Sequence, residues 1–189
     1  MKALRLTLVC SGITQGMRKQ EFPLDRPLEK RSIDLAHSLR PRLAAADRAL
    51  SAPALRARQT ADLLGLDATV REDLRDQDHG VWAGKAVSEV EALEPGALAA
   101  WLTDPAYAQQ GGESVADVSR RTAAFLDEMR GASGHVIAVT HGAVVRAAIV
   151  HVLAAPLSAF RHIDAPPLGL TDLRHNGSRW VLRAHAFPE

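Results

Sequence analysis

Short apolar runs alternate with stretches of helical periodicity along most of the chain. Leu4 to Val9 is apolar and β-compatible and ends at Cys10-Ser11-Gly12, where the glycine permits a sharp change of direction, so it reads as a buried strand feeding a loop. Ile33, Ala36, Leu39 and Leu43 then recur at helical spacing, with Ser32 placed as an N-cap, and Arg48-Ala49-Leu50 suggests a second strand. Leu55, Gln59, Leu63 and Leu64 mark another helix, with Pro53 acceptable in its first turn and Gly65 as its stop. Ala68 to Arg71 follows as a third strand.

Between Asp73 and Gly112 the pattern loosens into glycines, prolines and short helical pieces around Val87 to Leu93 and Ala97 to Leu102, and this stretch reads as an insertion over one end of the sheet. Ser114 then caps a strong helix whose apolar face carries Val115, Val118, Thr122, Phe125, Leu126 and Met129. His135 to Val139 is a second compact apolar run, turned by Thr140-His141-Gly142 into the apolar helix Ala143 to Leu153. Leu168 to Leu173 and Trp180 to Leu182, joined through Asn176-Gly177, read as a hairpin closing the sheet edge. Strands that alternate with helices imply an α/β fold, a mainly parallel sheet with helices on both faces in a three-layer α/β/α arrangement.

A length of 189 residues suits one sizeable core, so residues 1–189 are expected to form a single domain. With 23 Lys+Arg against 22 Asp+Glu, the formal charge of +1 gives no long-range attraction to nucleic acid or to anionic membrane, and any anionic ligand has to be caught by a local arrangement of side chains. The lone Cys10 cannot form an internal disulfide, and the N-terminal apolar stretch is too short for a signal peptide. A cytoplasmic protein without a membrane span is therefore expected.

Several separated motifs resemble the phosphoglycerate mutase-like, or histidine phosphatase, superfamily in order and spacing. Ser51-Ala52-Pro53-Ala54-Leu55-Arg56-Ala57-Arg58-Gln59-Thr60-Ala61 is similar to the family's Ser-x-Pro-x-x-Arg-Ala-x-Gln-Thr-Ala signature, whose first arginine holds phosphate. Leu74-Arg75-Asp76-Gln77-Asp78-His79-Gly80 resembles the segment that carries a proton-donating glutamate, here Asp76. Gly111-Gly112-Glu113-Ser114 looks like the family's helix opening, and Val136 to Gly142 like its second-histidine strand, with His141 as that histidine. Where the family has Arg-His-Gly-Glu-Thr and then an asparagine, this chain has Cys10-Ser11-Gly12-Ile13-Thr14 and Met17. Aligned on Gly12 and Thr14, Cys10 replaces a phosphate-binding arginine and Ser11 the nucleophilic histidine.

The resemblance implies a phosphoglycerate mutase-like fold and a reaction in which a histidine attacks phosphorus while arginines and the second histidine neutralise the oxygens. Losing a nucleophile costs roughly a millionfold in rate in a hydrolase where it has been measured, so ordinary phosphohistidine turnover is not expected here. A binding site for a small phosphorylated or anionic ligand survives that loss, formed on this reading by Cys10, Gly12, Thr14, Arg56, His141 and Gly142. The alternative is an enzyme of altered mechanism, a phosphomonoesterase, other hydrolase or lyase, with Ser11, Asp76 and His141 as its catalytic groups. A protein-interaction module is the third class.

Each singled-out residue also has a plain reading. Cys10 is either a thiolate activated near Arg56 or a small buried hydrophobe, and Asp76 either a proton donor or a loop cap. Ser11 is turn material as readily as a nucleophile. His79 and His162 are placed to line the pocket. Trp82 and Trp101 either cover a ligand or pin the insertion to the core, and Arg18 to Arg26 is a solvated loop or a gate. The histidines show no metal-ligand spacing, so neither a metal nor another cofactor is expected. Oligomeric state, a homodimer included, stays open.

Overall fold

The computed structural model describes residues 3–186. Its centre is a six-stranded sheet built from β1 (Leu4–Cys10), β2 (Arg48–Ser51), β3 (Ala68–Val70), β4 (Gly134–Thr140), β5 (Leu170–His175) and β6 (Trp180–Ala186), in the order β3-β2-β4-β1-β5-β6. The first four strands pair in parallel and the C-terminal hairpin adds two antiparallel strands at one edge. Leu4, Leu6, Leu8 and Val9 of β1 and Val136 to Val139 of β4 are almost wholly buried, as central strands covered on both faces must be.

The covering helices follow the predicted pattern closely. α1 (Gln15–Arg18) is a short turn after β1, and α2 (Lys30–Leu39) packs on α3 (Leu55–Leu63). The insertion carries α4 (Val87–Leu93) and α5 (Ala97–Thr103), and α6 (Val115–Met129) packs on α7 (Gly142–Val152). Apolar residues of α2, α3, α6 and α7 join the strands in one continuous core, which makes the three layers. A separate apolar cluster joins Phe22 to Trp82 and Val90 of the insertion.

Two local readings are corrected. Ser32 does not cap α2, which begins after Glu29; it is buried, and its Oγ accepts from the Ile13 amide at 3.0 Å, tying the helix to the loop after β1. The Arg18 to Arg26 run is not simply solvated, because buried Phe22 anchors it to the insertion with its ring 5.3 Å from that of Trp82 and 5.6 Å from that of Trp101.

What positions the site is strand register. Cys10 of β1 lies opposite Thr140 of β4, so both strands end at the same height and Ser11 and His141 leave the sheet side by side. The Ser11 amide donates to the Thr140 carbonyl at 2.7 Å and extends the pairing by one step. Ligand sites of α/β sheets lie outside such carboxyl ends.

Ser114 closes a reciprocal capping box with Asp117 at the start of α6. Ser114→Ala is expected to lower stability by about 1 kcal/mol in urea unfolding. An unchanged midpoint would mean that the box contributes nothing.

Candidate functional site

Ser11 and His141, 4% and 2% exposed, share a hydrogen bond of 3.2 Å between Oγ and Nδ1. Asp76 approaches the same Nδ1 with Oδ2 at 3.8 Å. Beneath them Arg56, on the first turn of α3 and 2% exposed, donates from Nη2 to Asp76 Oδ2 at 2.5 Å. Four separated motifs thus meet at one place.

The loop bearing Asp76 is fixed from behind. Thr140 Oγ1 donates to the Leu74 carbonyl at 2.7 Å, which ties the end of β4 to this loop. Arg121 of α6 donates to the carbonyls of Asp73 at 3.0 Å, Arg75 at 2.9 Å and Asp76 at 3.3 Å, and pairs with Glu113 at 2.8 Å. The Gly111-Gly112-Glu113-Ser114 motif therefore serves here to hold the Asp76 loop, and Gln77 Nε2 adds a bond to the Glu113 carbonyl at 2.8 Å.

Burial pushes His141 down to about 4, against the opposing pull of Asp76, so its imidazole is neutral near pH 7. Burial acts to raise Asp76, but the His141, Arg56 and His79 charges and the Gln77 amide outweigh it and hold this carboxyl below its ordinary value. Asp76, paired with Arg56, is thus held in its ionised form near neutral pH. Cys10 is pushed up to about 12, chiefly by burial and then by Asp76, and its thiol donates weakly to the Ala165 carbonyl at 3.7 Å. Of its two readings, the small buried residue is the one the structure holds.

A cavity of about 320 Å³ opens over this floor. Cys10, Ser11, Asp76, His141 and Gly142 line it, together with His79 and Trp101. Gly12, Thr14 and Arg56 are not among its lining residues. The Gly12 amide is taken by Thr60 Oγ1 at 3.1 Å, and Thr14 Oγ1 caps α1 by accepting from Met17 at 3.4 Å. Arg56 lies behind Asp76, donating to it from Nη2 and, over a longer 3.4 Å, from Nη1 to the Leu24 carbonyl, while its buried Nε has no hydrogen-bond partner among the described residues. His162 lines a separate hollow beside Leu157. Trp82 is fully buried and donates to Glu94 at 2.9 Å, so it pins the insertion.

Sequence reasoning missed Phe22, Gln77, Arg146 and Arg161, all of which line the cavity. Arg146 carried a signal: it is the charged residue within the otherwise apolar run of α7, one turn past Gly142 and hence on the same helix face. Arg161 carried none, since its place depends on reaching Trp101 in a distant segment.

The unfolded chain protonates His141 near its ordinary 6.5, whereas the folded chain resists until about 4. Acidification through that window therefore favours unfolding, by on the order of 3 kcal/mol from this one group. Urea unfolding of the wild type should weaken between pH 7 and pH 4, and His141→Gln should remove much of that slope. Equal slopes in the two proteins would contradict a neutral buried imidazole.

Phosphoserine phosphatase 1 of Hydrogenobacter thermophilus is 30% identical to this chain over 81% of it and 70% of its own length. Glucosyl-3-phosphoglycerate phosphatase of Mycolicibacterium vanbaalenii is 33% identical over 51% of this chain, and the matched region spans about half of that relative, 47%. Among solved structures, the mycobacterial glucosyl-3-phosphoglycerate phosphatase complexed with VO3 is 26% identical with a TM-score of 0.86, over 97% of this chain and 98% of that one. No helix among the described residues is long and apolar enough to cross a membrane. The family profile of the histidine phosphatase superfamily, branch 1, matches residues 6–187, and the chain belongs to that superfamily.

Proposed function

We propose that this protein binds a small phosphorylated or other anionic ligand in the cavity above Ser11 and His141 and does not turn phosphate esters over through phosphohistidine. The observation that carries this reading is Ser11, hydrogen-bonded to His141 at 3.2 Å at the position where the family's nucleophilic histidine stands. A phosphoserine formed there would be an ordinary ester, about as slow to hydrolyse as the substrate itself, whereas the P–N bond of phosphohistidine is labile. The second arginine does not rescue the step, because its charge is matched by Asp76.

A second reading, a phosphomonoesterase of altered mechanism, is favoured by the phosphatase names of the relatives and by the same Ser11–His141 bond. Geometry weighs against a serine relay. In a Ser-His-Asp arrangement the serine and the carboxylate address opposite ring nitrogens, whereas here both face Nδ1 and Nε2 has no hydrogen-bond partner among the described residues. An imidazole held down to about 4 is also a weak base at neutral pH.

Turnover of p-nitrophenyl phosphate, phosphoserine and other phosphate monoesters separates the two readings. The wild type is expected to show no turnover above background, and the double variant Cys10→Arg/Ser11→His to recover some on the retained scaffold. Wild-type turnover that Ser11→Ala reduces by about 10³-fold or more would overturn the binding reading and establish the serine as nucleophile.

A further inference from the structure

The charges lining the cavity do not balance. Its two carboxylates are already matched by arginines outside the lining: Asp76 by Arg56 at 2.5 Å and Glu21 by Arg26 at 3.0 Å. Its two guanidinium groups, Arg146 and Arg161, form no ion pair among the described residues, with Asp164 on the adjoining segment or with any other acid. Each is nonetheless held in place. Arg146 Nε donates to the Ile163 carbonyl at 2.9 Å, and its guanidinium lies 5.9 Å from the Phe160 ring centroid. Arg161 stacks on Trp101 at 4.0 Å and donates to the Trp101 carbonyl. Among the described residues the terminal nitrogens of Arg146 have no hydrogen-bond partner.

We propose that Arg146 and Arg161 form an oxyanion-binding wall in this cavity, so that the ligand's anionic group lies against them while a neutral, hydroxyl-bearing end reaches Ser11 and the unpartnered Nε2 of His141. This rests on the reading of the protein as an anion binder and reverses the orientation that the family motifs suggest. Two partly buried like charges without a counterion are a standing electrostatic cost, and a bound oxyanion removes it. The planar forks of both arginines suit phosphate or carboxylate oxygens. The floor offers the opposite: Asp76 is an anion beside Ser11, its charge is cancelled by Arg56, and a neutral His141 supplies a hydrogen bond rather than a charge.

Two further observations agree. Cys10, which stands in place of the family's arginine, and Arg146 are both bonded to the Ile163 to Ala165 segment, which brings the Arg146 charge beside the end of β1. Arg146 acts on Cys10 more strongly than Arg56 does, and its charge also lowers Arg161, after burial. His79, which lines the same cavity, has a buried Nδ1 with no hydrogen-bond partner among the described residues and is a further donor or acceptor for the ligand.

Calorimetric titration of the full chain with inorganic phosphate, and separately with acetate, tests the wall and shows which oxyanion it prefers. Saturable binding of either by the wild type, weakened at least about tenfold in Arg146→Gln and in Arg161→Gln and less in Arg161→Lys, is the expected result. Binding that persists within about twofold in both glutamine variants overturns the wall and leaves the anion-binding reading intact. No saturable binding of either ion by the wild type overturns both. Should a variant fail to fold, protection of the two arginines in the wild type decides the matter. The bound ion is expected to slow modification of Arg146 and Arg161 by phenylglyoxal, mapped by mass spectrometry, and unchanged modification of both overturns the wall.

Discussion

The Arg56–Asp76 pair is the interaction on which the rest of the site depends. A guanidinium that is 2% exposed needs a partner, and Asp76 provides it at 2.5 Å from a loop that Arg121 and Thr140 fix in place. Breaking such a pair would strand one buried charge, which is far more costly than the pair is stabilising. The same contact determines the chemistry. On the proposed reading it matches the charge of Arg56 with that of Asp76 and keeps the Asp76 carboxyl ionised, so neither is free to serve a phosphoryl group.

Around that pair the cavity divides into two electrostatic regions. Ser11, His141 and the matched Arg56–Asp76 pair make a floor of neutral hydrogen-bonding character, and Arg146 and Arg161 make a cationic wall. Charge stabilisation supplies most of the rate in phosphoryl transfer, so on the proposed reading a cationic wall away from Ser11 favours binding over turnover. On that reading the replacement of an arginine by Cys10 and of a histidine by Ser11 is one change rather than two, a loss of both charge and nucleophile at the end of β1. The superfamily scaffold survives it because β1 and β4 owe their burial and register to apolar residues that the substitution leaves untouched.

Much of this was legible in the chain. The apolar runs ending at Cys10 and Thr140 gave both central strands, and the Val115, Val118, Phe125 and Met129 periodicity gave α6. Convergence of Ser11, Asp76 and His141 followed from motifs in the right order. Three things were not legible, each because it depends on tertiary distance. Arg56 and Asp76 lie on different elements, so nothing local says that one would consume the other's charge. Ser32 has the composition of a cap yet serves as an acceptor for the Ile13 amide, because α2 starts earlier than its apolar period suggests. Arg161 stacks on Trp101 of the distant insertion, a contact that no local pattern announces.

The most direct test of a neutralised floor is a crystal structure of the protein soaked with vanadate near neutral pH, since vanadate takes up the five-coordinate geometry of phosphoryl transfer when a nucleophile is present. The expected result is an intact Arg56–Asp76 pair and no bond between vanadium and Ser11 Oγ. A trigonal-bipyramidal vanadate bonded to Ser11 Oγ, with Arg56 turned from Asp76 onto its equatorial oxygens, would contradict it.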